Sequence, residues 1–190
     1  QLASLPAEIE QLEDGRAKVV AIVVNLVKLI DFHGIDLSRF DLSGNNLHGA
    51  NLSSAKLCGT KLVKANLSGA DLSGADLSGT DLSGADMSSA DLSSATITAA
   101  TVFADANLAG ASLCDTDLSS GDLSGSDLTD ASLNGATITT KTVFTGAILV
   151  RTCFTKVDLT CIDLAVWRKQ TKKLAQVKLG HAKLRESFKE

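Results

Sequence analysis

No stretch of this sequence reaches the roughly 18 uninterrupted apolar residues that mark a membrane-spanning helix. The nearest run, VVAIVVNLVKLI at residues 19–30, is short and contains Asn25 and Lys28, and no A-x-A cleavage pattern follows it. The four cysteines have neither CxxC nor zinc-finger spacing. A Ser-His-Asp set, a phosphate-binding loop and a GxGxxG motif are also missing. We therefore expect no membrane span, no signal peptide, no zinc module and no common enzyme class.

Composition predicts one folded domain with an uneven charge. Apolar residues make up 44% of the 190 residues, which argues against disorder. The net charge is −4, yet residues 167–190 carry eight Lys or Arg and only two Glu. The rest of the chain carries ten basic and twenty acidic residues. The body of the protein is therefore acidic and its tail is basic.

A large apolar residue returns every fifth position along most of the chain, as in A-D-L-S-G at residues 70–74. These apolar centres run from Phe32 to Ile97, slip by one residue to Phe103, continue to Ile138, slip again, and continue from residue 144 to residue 164. A spacing of five walks around an α-helix of 3.6 residues per turn, which excludes a helix.

Each repeat predicts a short extended piece followed by a turn. Two positions before the centre the residue is nearly always small, and the residue between them is usually polar. Such a period of two points the small and large residues to one side and the polar residue to the other. The Ser-Gly that follows is typical of turns. An extended piece and a turn, repeated 27 times, must coil.

This pattern resembles the pentapeptide-repeat family, because A-[DN]-L-[ST]-G stands almost verbatim at residues 65–84. The resemblance covers about 135 of the 190 residues. It implies an all-β solenoid, a right-handed quadrilateral parallel β-helix in which four pentapeptides make one turn. The 27 repeats then give about 6–7 coils, spaced ~4.8 Å apart in a rod roughly 32 Å long.

The ends do not follow the repeat, and we expect helical caps there. Residues 1–29 predict an N-terminal helical cap, residues 30–166 the pentapeptide-repeat β-helix, and residues 167–190 a C-terminal basic cap helix. Two alternatives stay open. The N-terminal helices could mediate dimerisation, and Leu174, Leu179 and Leu184 also continue the five-residue frame.

The outward polar positions form the candidate interaction surface. On two neighbouring faces Asp alternates with a cation or a neutral residue, and Lys56 and Lys61 supply the cations. This alternation limits repulsion between carboxylates. As a functional site, the same surface would suit a basic partner or a nucleic-acid-binding protein. The candidate residues are Asp36, Asp41, Asp76, Asp81, Asp117, Asp122, Asp158 and Asp163.

The two slips in the repeat occur in nearly identical strings, ATITAATVF at residues 95–103 and ATITTKTVF at residues 136–144. Eight repeats, or two full coils, separate Ile97 from Ile138. Both extra residues should therefore bulge at the same corner. A corner inherited with a duplicated unit explains this spacing, and a paired ridge that a partner grips is the alternative.

The remaining polar residues predict no catalytic, cofactor or metal site. His33, His48 and His181 are scattered along the chain. We expect all four cysteines to be free thiols, with a Cys153–Cys161 bridge as the alternative. Every candidate carboxylate is one copy of a surface repeat, so an enzyme is not expected.

The resemblance implies a non-catalytic structural or protein-interaction scaffold, similar to proteins common in cyanobacteria and plastids. One alternative is a DNA mimic that acts on DNA gyrase, and another is a targeting or interaction module of a larger bacterial effector. We expect a monomer that binds an unidentified protein and no nucleic acid directly, with a dimer through the terminal helices as the alternative. The expected compartment is the cytoplasm, or the thylakoid lumen or periplasm if Gln1 follows a removed signal.

Overall fold

The chain forms a four-sided parallel β-solenoid, which the computed structural model describes for residues 31–162 and 164–184. The predicted cap at residues 1–29 lies outside these residues. Parallel bridges join each coil to the next, mostly between residues 20 or 21 apart and beginning with Asp31 and Asn51, so four pentapeptides make one coil. One ladder of seven such bridges links the residues Asp31, Asn51, Asp71, Asp91, Ser112, Ser132, Cys153 and Lys178.

Four ladders of outward residues define the four sides of the solenoid. We number the sides by their first outward residue: side 1 starts at Asp31, side 2 at Asp36, side 3 at Asp41 and side 4 at Asn46. Neighbouring coils are joined by backbone hydrogen bonds such as that from the Leu72 N–H to the Asp91 carbonyl, 2.7 Å long. The family resemblance therefore predicted the number of repeats per coil correctly.

A tight β-turn separates each side from the next. In the repeat at residues 65–69, the Ala70 N–H donates to the Leu67 carbonyl over 3.0 Å. Gly69, the third residue of this turn, has a φ of 63°, in the left-handed region that glycine adopts without a steric penalty. The Ser-Gly pairs of the sequence therefore place the corners of the solenoid.

The core is a set of stacked apolar columns, one for each side. Leu52, Leu72 and Leu92 of side 1 are all completely buried, and full burial of a leucine side chain stabilises a fold by about 1.5–3 kcal/mol. Small residues two positions earlier, such as Ala70 and Ala75, are buried beside them. Only a small residue fits there, because the chain turns the corner at that point.

Threonine replaces alanine at one corner and adds hydrogen bonds between coils. The hydroxyls of Thr60, Thr80 and Thr101 donate to the carbonyls of the side 2 centres one coil earlier, over 2.7–2.8 Å. Thr142 repeats this contact two coils further on, with the Leu118 carbonyl, at 2.7 Å. No buried side-chain nitrogen or oxygen lacks a hydrogen-bond partner within the described part of the chain.

The solenoid continues past the end that the sequence predicts. Strand β1 (Ile148–Val150) pairs in parallel with strand β2 (Lys173–Ala175), and helix α1 (Leu164–Gln170) lies between them in the chain. The partners Ile148 and Lys173 are 25 residues apart, whereas earlier partners are 20 or 21 apart. Helix α1 is therefore an insertion within a coil.

The prediction of one basic cap helix over residues 167–190 is wrong for the described residues. The helix ends at Gln170, and Lys178 and Lys183 form bridges with Cys153 and Asp158 of the preceding coil. The physical reason is that Leu174, Leu179 and Leu184 keep the five-residue frame and pack against the core. The WRKQTKK segment that breaks this frame is accommodated in α1, the bend after it and the first residue of β2.

Trp167 takes the place of an inward side chain in the last coil. It is 5% exposed, and its ring lies edge-on to Phe144, an apolar centre of side 3, with centroids 5.1 Å apart. A second contact joins it to Phe154 at 5.4 Å. One helical turn thus covers the column that a strand would otherwise continue.

Candidate functional site

The outward Asp and Asn residues are part of the turns, not free surface groups. In each described repeat that has Asp or Asn at the outward position, its carboxylate or amide oxygen accepts a hydrogen bond from the backbone N–H two residues later. Ser73 donates to Asp71 over 2.9 Å and Ser68 donates to Asn66 over 3.0 Å. Asn and Asp therefore stabilise the turn through the same hydrogen bond, and only Asp adds charge.

The structure places the described candidate carboxylates on two neighbouring sides of the solenoid, as the sequence predicts. Asp36 and Asp76 lie on side 2 with Lys56 between them, and Asp41 and Asp81 lie on side 3 with Lys61 between them. Further along, Asp117 and Asp158 belong to side 2, Asp122 belongs to side 3, and Asp163 lies outside the described residues. We call the carboxylates of sides 2 and 3 the acidic surface.

Neutral residues interrupt the acidic surface in its second half. Thr96 and Thr137 follow Asp76 and Asp117 on side 2. On side 3, Val102 follows Asp81 and Val143 follows Asp122. Since adjacent coils lie ~4.8 Å apart, successive carboxylates on one side are roughly 9.6 Å apart. The surface is therefore a sparse array of charges, with cations and neutral residues between them.

Hydrogen bonds and neighbouring lysines favour the charged form of three of these carboxylates. The Ser38 hydroxyl, then the Ser38 N–H and the charge of Lys56, hold the pKa of Asp36 below its usual value. Ser43 and Lys61 lower the pKa of Asp41 in the same way. The pKa of Asp158 is lowered by Thr160 and Lys183. The causes are the contacts that build the turns and the ladders.

Both extra residues of the sequence lie at the corner between sides 2 and 3, which confirms the prediction that they share a corner. At each one a threonine hydroxyl closes the widened turn, because the Thr98 and Thr139 N–H groups donate to Thr101 and Thr142 over 3.1 Å. Ala99 and Ala100 are exposed. We call these two turns, residues 96–102 and 137–143, the wide corners.

Cysteine and histidine do not assemble into a site. Cys58, Cys114, Cys153 and Cys161 are free thiols. His48 contacts Ser68 in the next coil, with 2.8 Å between its Nδ1 and the serine hydroxyl. Within residues 31–162 and 164–184, no group of three or more His, Cys, Asp or Glu side chains could hold a metal ion. None of the helices in those ranges is long and apolar enough to cross a membrane.

A cleft of about 460 Å³ opens at the C-terminal end of the solenoid, beside helix α1. Its walls combine apolar side chains with cations, as Trp167, Leu174 and Val177 stand beside Arg168 and Lys172. Our sequence interpretation missed this cleft because it assigned residues 167–190 to one helix. The spacing of Leu174, Leu179 and Leu184 was the signal that could have revealed it.

The family model of pentapeptide repeats matches this chain in eight copies, over residues 30–63, 65–102 and 99–135. A pentapeptide repeat protein from the thylakoid lumen of Arabidopsis thaliana is 34% identical, with 58% of this chain and 72% of that one covered and a TM-score of 0.39. None of the curated proteins matches the sequence.

Two cyanobacterial structures are similar as well. Rfr23 from Cyanothece 51142, a pentapeptide repeat protein, is 35% identical, with 56% of this chain and 61% of its own covered and a TM-score of 0.33. HetL from Nostoc sp. strain PCC 7120, a pentapeptide repeat protein involved in heterocyst differentiation regulation, is 31% identical. The match covers 79% of this chain and 66% of HetL, with a TM-score of 0.33.

Proposed function

Because this chain belongs to the pentapeptide repeat family, we propose that it is a non-catalytic scaffold that binds a partner protein through the acidic surface. The observation that supports this proposal is that the outward carboxylates all have the same role in the turns. Each accepts a turn N–H, as Asp76 does from Ser78 and Asp81 from Ser83, at 3.0 Å in both cases. A carboxylate repeated in the same role along a rod supplies a charged surface, not a single reactive group.

The partner that fits this surface is a protein with spaced cations. Carboxylates of one side lie roughly 9.6 Å apart, so a matching partner would present Lys or Arg at a similar interval. Exposed ion pairs contribute about 0–1 kcal/mol each. Several of them would therefore have to act together, which suits a long, regular surface.

Asparagine substitution tests this proposal without disturbing the turns. The sequence already uses Asn46, Asn51, Asn66 and Asn107 in the same turn contact. A variant with Asn at Asp76, Asp81, Asp117 and Asp122 should keep the fold and lose the partner. The matched control carries Asn at Asp71, Asp86, Asp91 and Asp127, which lie on sides 1 and 4.

The measurement is quantitative mass spectrometry of proteins captured from native lysate by the parent, the variant and the control. We expect at least one protein to bind the parent and the control but not the variant, and to do so again when purified. Equal capture by all three proteins would contradict the proposed role of the acidic surface.

A DNA mimic that acts on gyrase is the alternative. Lys56 and Lys61 stand within the acidic ladders, where a phosphate mimic would need continuous negative charge, and this disfavours it. A module of a larger bacterial effector is a further alternative that no specific observation favours. The right-handed winding, a helical cap at residues 1–29, a monomeric state and a cytoplasmic location stay predictions.

A further inference from the structure

The last described coil carries a charge opposite to that of the body. Residues 164–184 contain six Lys or Arg and no Asp or Glu. Three of the cations stand at the outward positions of this coil: Lys173 on side 4, Lys178 on side 1 and Lys183 on side 2. All three are exposed. The end of the solenoid is therefore surrounded by positive charge on three sides.

Two of these lysines differ from the other lysines in the ladders. Lys56 and Lys61 each have Asp as the ladder neighbour on both sides, and Lys183 lies 3.9 Å from Asp158. By contrast, the ladder neighbour of Lys173 is Ile148 and that of Lys178 is Cys153. The pKa of Asp130 is lowered first by the hydrogen bond from Arg151, with which it pairs, and last by the charge of Lys178. Neither Lys173 nor Lys178 forms an ion pair within the described residues.

The backbone at this end offers hydrogen bonds in a regular array. In earlier coils the N–H of an apolar centre donates to the next coil, as Leu128 does to Ile148 over 2.9 Å and Phe154 does to Lys178 over 2.8 Å. The equivalent N–H groups of the last coil belong to Leu174 and Leu179, and none of the described residues accepts a bond from them. Such an edge is a template for another strand.

Apolar surface lies next to this edge. Leu174, Val177 and Leu179 are half-buried, while Leu128, Leu149 and Phe154 of the preceding coils are completely buried. The cleft beside helix α1, with Trp167 in its wall, adjoins the same residues. We call this end of the molecule, formed by Lys172–Ala175 and Val177–Leu179, the basic edge.

We propose that the basic edge binds an extended acidic segment of a partner protein, which adds to the solenoid as one more strand. Its acidic side chains pair with Lys173 and Lys178, and the apolar side chains between them contact Leu174 and fill the cleft. Strand addition of this kind takes its affinity from main-chain hydrogen bonds and its specificity from alternate side chains. The ladders of this protein already contain the same arrangement, in which strands bearing Asp lie beside strands bearing Lys.

This surface is separate from the acidic surface of sides 2 and 3. The basic edge attracts an acidic partner, whereas the acidic surface attracts a basic one. Either proposal can therefore fail while the other stands.

Fluorescence anisotropy with two labelled peptides tests the proposal on the full chain. The probe is a twelve-residue peptide of alternating aspartate and valine, and its counterpart alternates lysine and valine. We expect the parent protein to bind only the acidic peptide, and to bind it more weakly as salt rises. The double variant Lys173→Glu/Lys178→Glu should bind the acidic peptide at least tenfold more weakly and should acquire affinity for the lysine peptide.

Lys141→Glu is the matched control, because it reverses an exposed lysine at a wide corner. It should bind the acidic peptide within about twofold of the parent, a difference below 0.5 kcal/mol. Circular dichroism verifies that all variants are folded.

The proposal would be overturned by equal binding to the parent and the double variant, or by no binding of the acidic peptide up to about 1 mM. Tighter binding of a single-stranded oligonucleotide than of the acidic peptide would assign the basic edge to nucleic acid instead. A doubling of mass by light scattering that the acidic peptide reverses would assign it to a second copy of this chain.

Discussion

At the scale of single residues, the third turn position decides how much strain each repeat contains. Twelve of the 27 repeats have Gly there, whereas Ser54, Lys64 and Asp105 adopt φ values of 56–57° at the same position. A left-handed conformation costs a residue with a Cβ roughly 1–2 kcal/mol. The repeat is therefore not optimal at every copy, and its imperfect copies can be improved.

We expect Ser54→Gly to stabilise the protein by about 1 kcal/mol, since it removes this penalty. The side chain of Ser54 makes no hydrogen bond that would be lost within the described residues. The reverse change, Gly44→Ser, is the matched control, because nothing lies within 4 Å of a Cβ added there. It should destabilise the protein by a similar amount. Urea denaturation measures both, and equal stability of all three proteins would contradict the account of the turn.

The turn carboxylates also make stability depend on pH. The pKa values of Asp36, Asp41 and Asp158 are lowered in the folded protein, first by the hydroxyl of the residue that each one caps. Their stabilising contribution is complete above the pKa of an unfolded Asp, about 3.9, and is lost as pH falls through the lowered folded pKa values.

Stability should therefore decrease below about pH 4, and the slope should be shallower in a variant with Asn at Asp36, Asp41 and Asp158. Urea midpoints measured between about pH 2 and pH 6 test this, with Asp36→Asn alone as an intermediate case. An unchanged slope in the triple variant would show that these carboxylates do not contribute.

At the scale of elements, the wide corners were predictable and helix α1 was not. The two TIT–TVF strings interrupt the five-residue spacing, so their position is found by counting residues along the sequence. In the tail, Trp167, Leu174 and Val177 satisfy helical spacing while Leu174, Leu179 and Leu184 satisfy the five-residue frame. The spacing of apolar residues alone does not distinguish a helix from a continued coil. Packing does, because Trp167 fits over Phe144 and Phe154 and the strand that follows can then pair with β1.

Trp167 should therefore be the residue that holds helix α1 on the solenoid. We expect Trp167→Ala to cost about 3–5 kcal/mol, as deletion of a buried aromatic ring usually does. Trp167→Phe keeps a ring against Phe144 and should cost less than half as much. Thermal and urea denaturation measure the difference, and near-parent stability of the alanine variant would mean that α1 does not cover the core.

The wide corners should tolerate shortening. Deletion of Ala100 restores the five-residue frame and leaves Ala99 at the turn position with positive φ. The deletion should therefore cost no more than about 2 kcal/mol, the upper end of that penalty. Combined with Ala99→Gly, it should be nearly neutral. A loss of several kcal/mol in the combined variant, measured by urea denaturation, would show that the extra residue packs in a specific way that the exposed turn does not reveal.

At the scale of the whole molecule, the distribution of charge separates a scaffold from a DNA mimic. Duplex DNA carries one charge per ~1.7 Å of axis. Sides 2 and 3 together offer about two carboxylates in every two coils, or one per ~4.8 Å, before Lys56 and Lys61 are subtracted. The sequence predicts this sparse array directly, since each outward residue can be read by counting in fives. The basic edge could not be predicted, because it depends on how the tail folds.

Inhibition of DNA gyrase is the measurement that tests this account most directly. Supercoiling of a relaxed plasmid should be unaffected by micromolar amounts of the full chain, because its carboxylates are too sparse and its C-terminal end is basic. The variant with Asn at Asp76, Asp81, Asp117 and Asp122 should behave in the same way. Salt-sensitive inhibition by the parent that disappears in this variant would contradict the scaffold and establish the DNA mimic in its place.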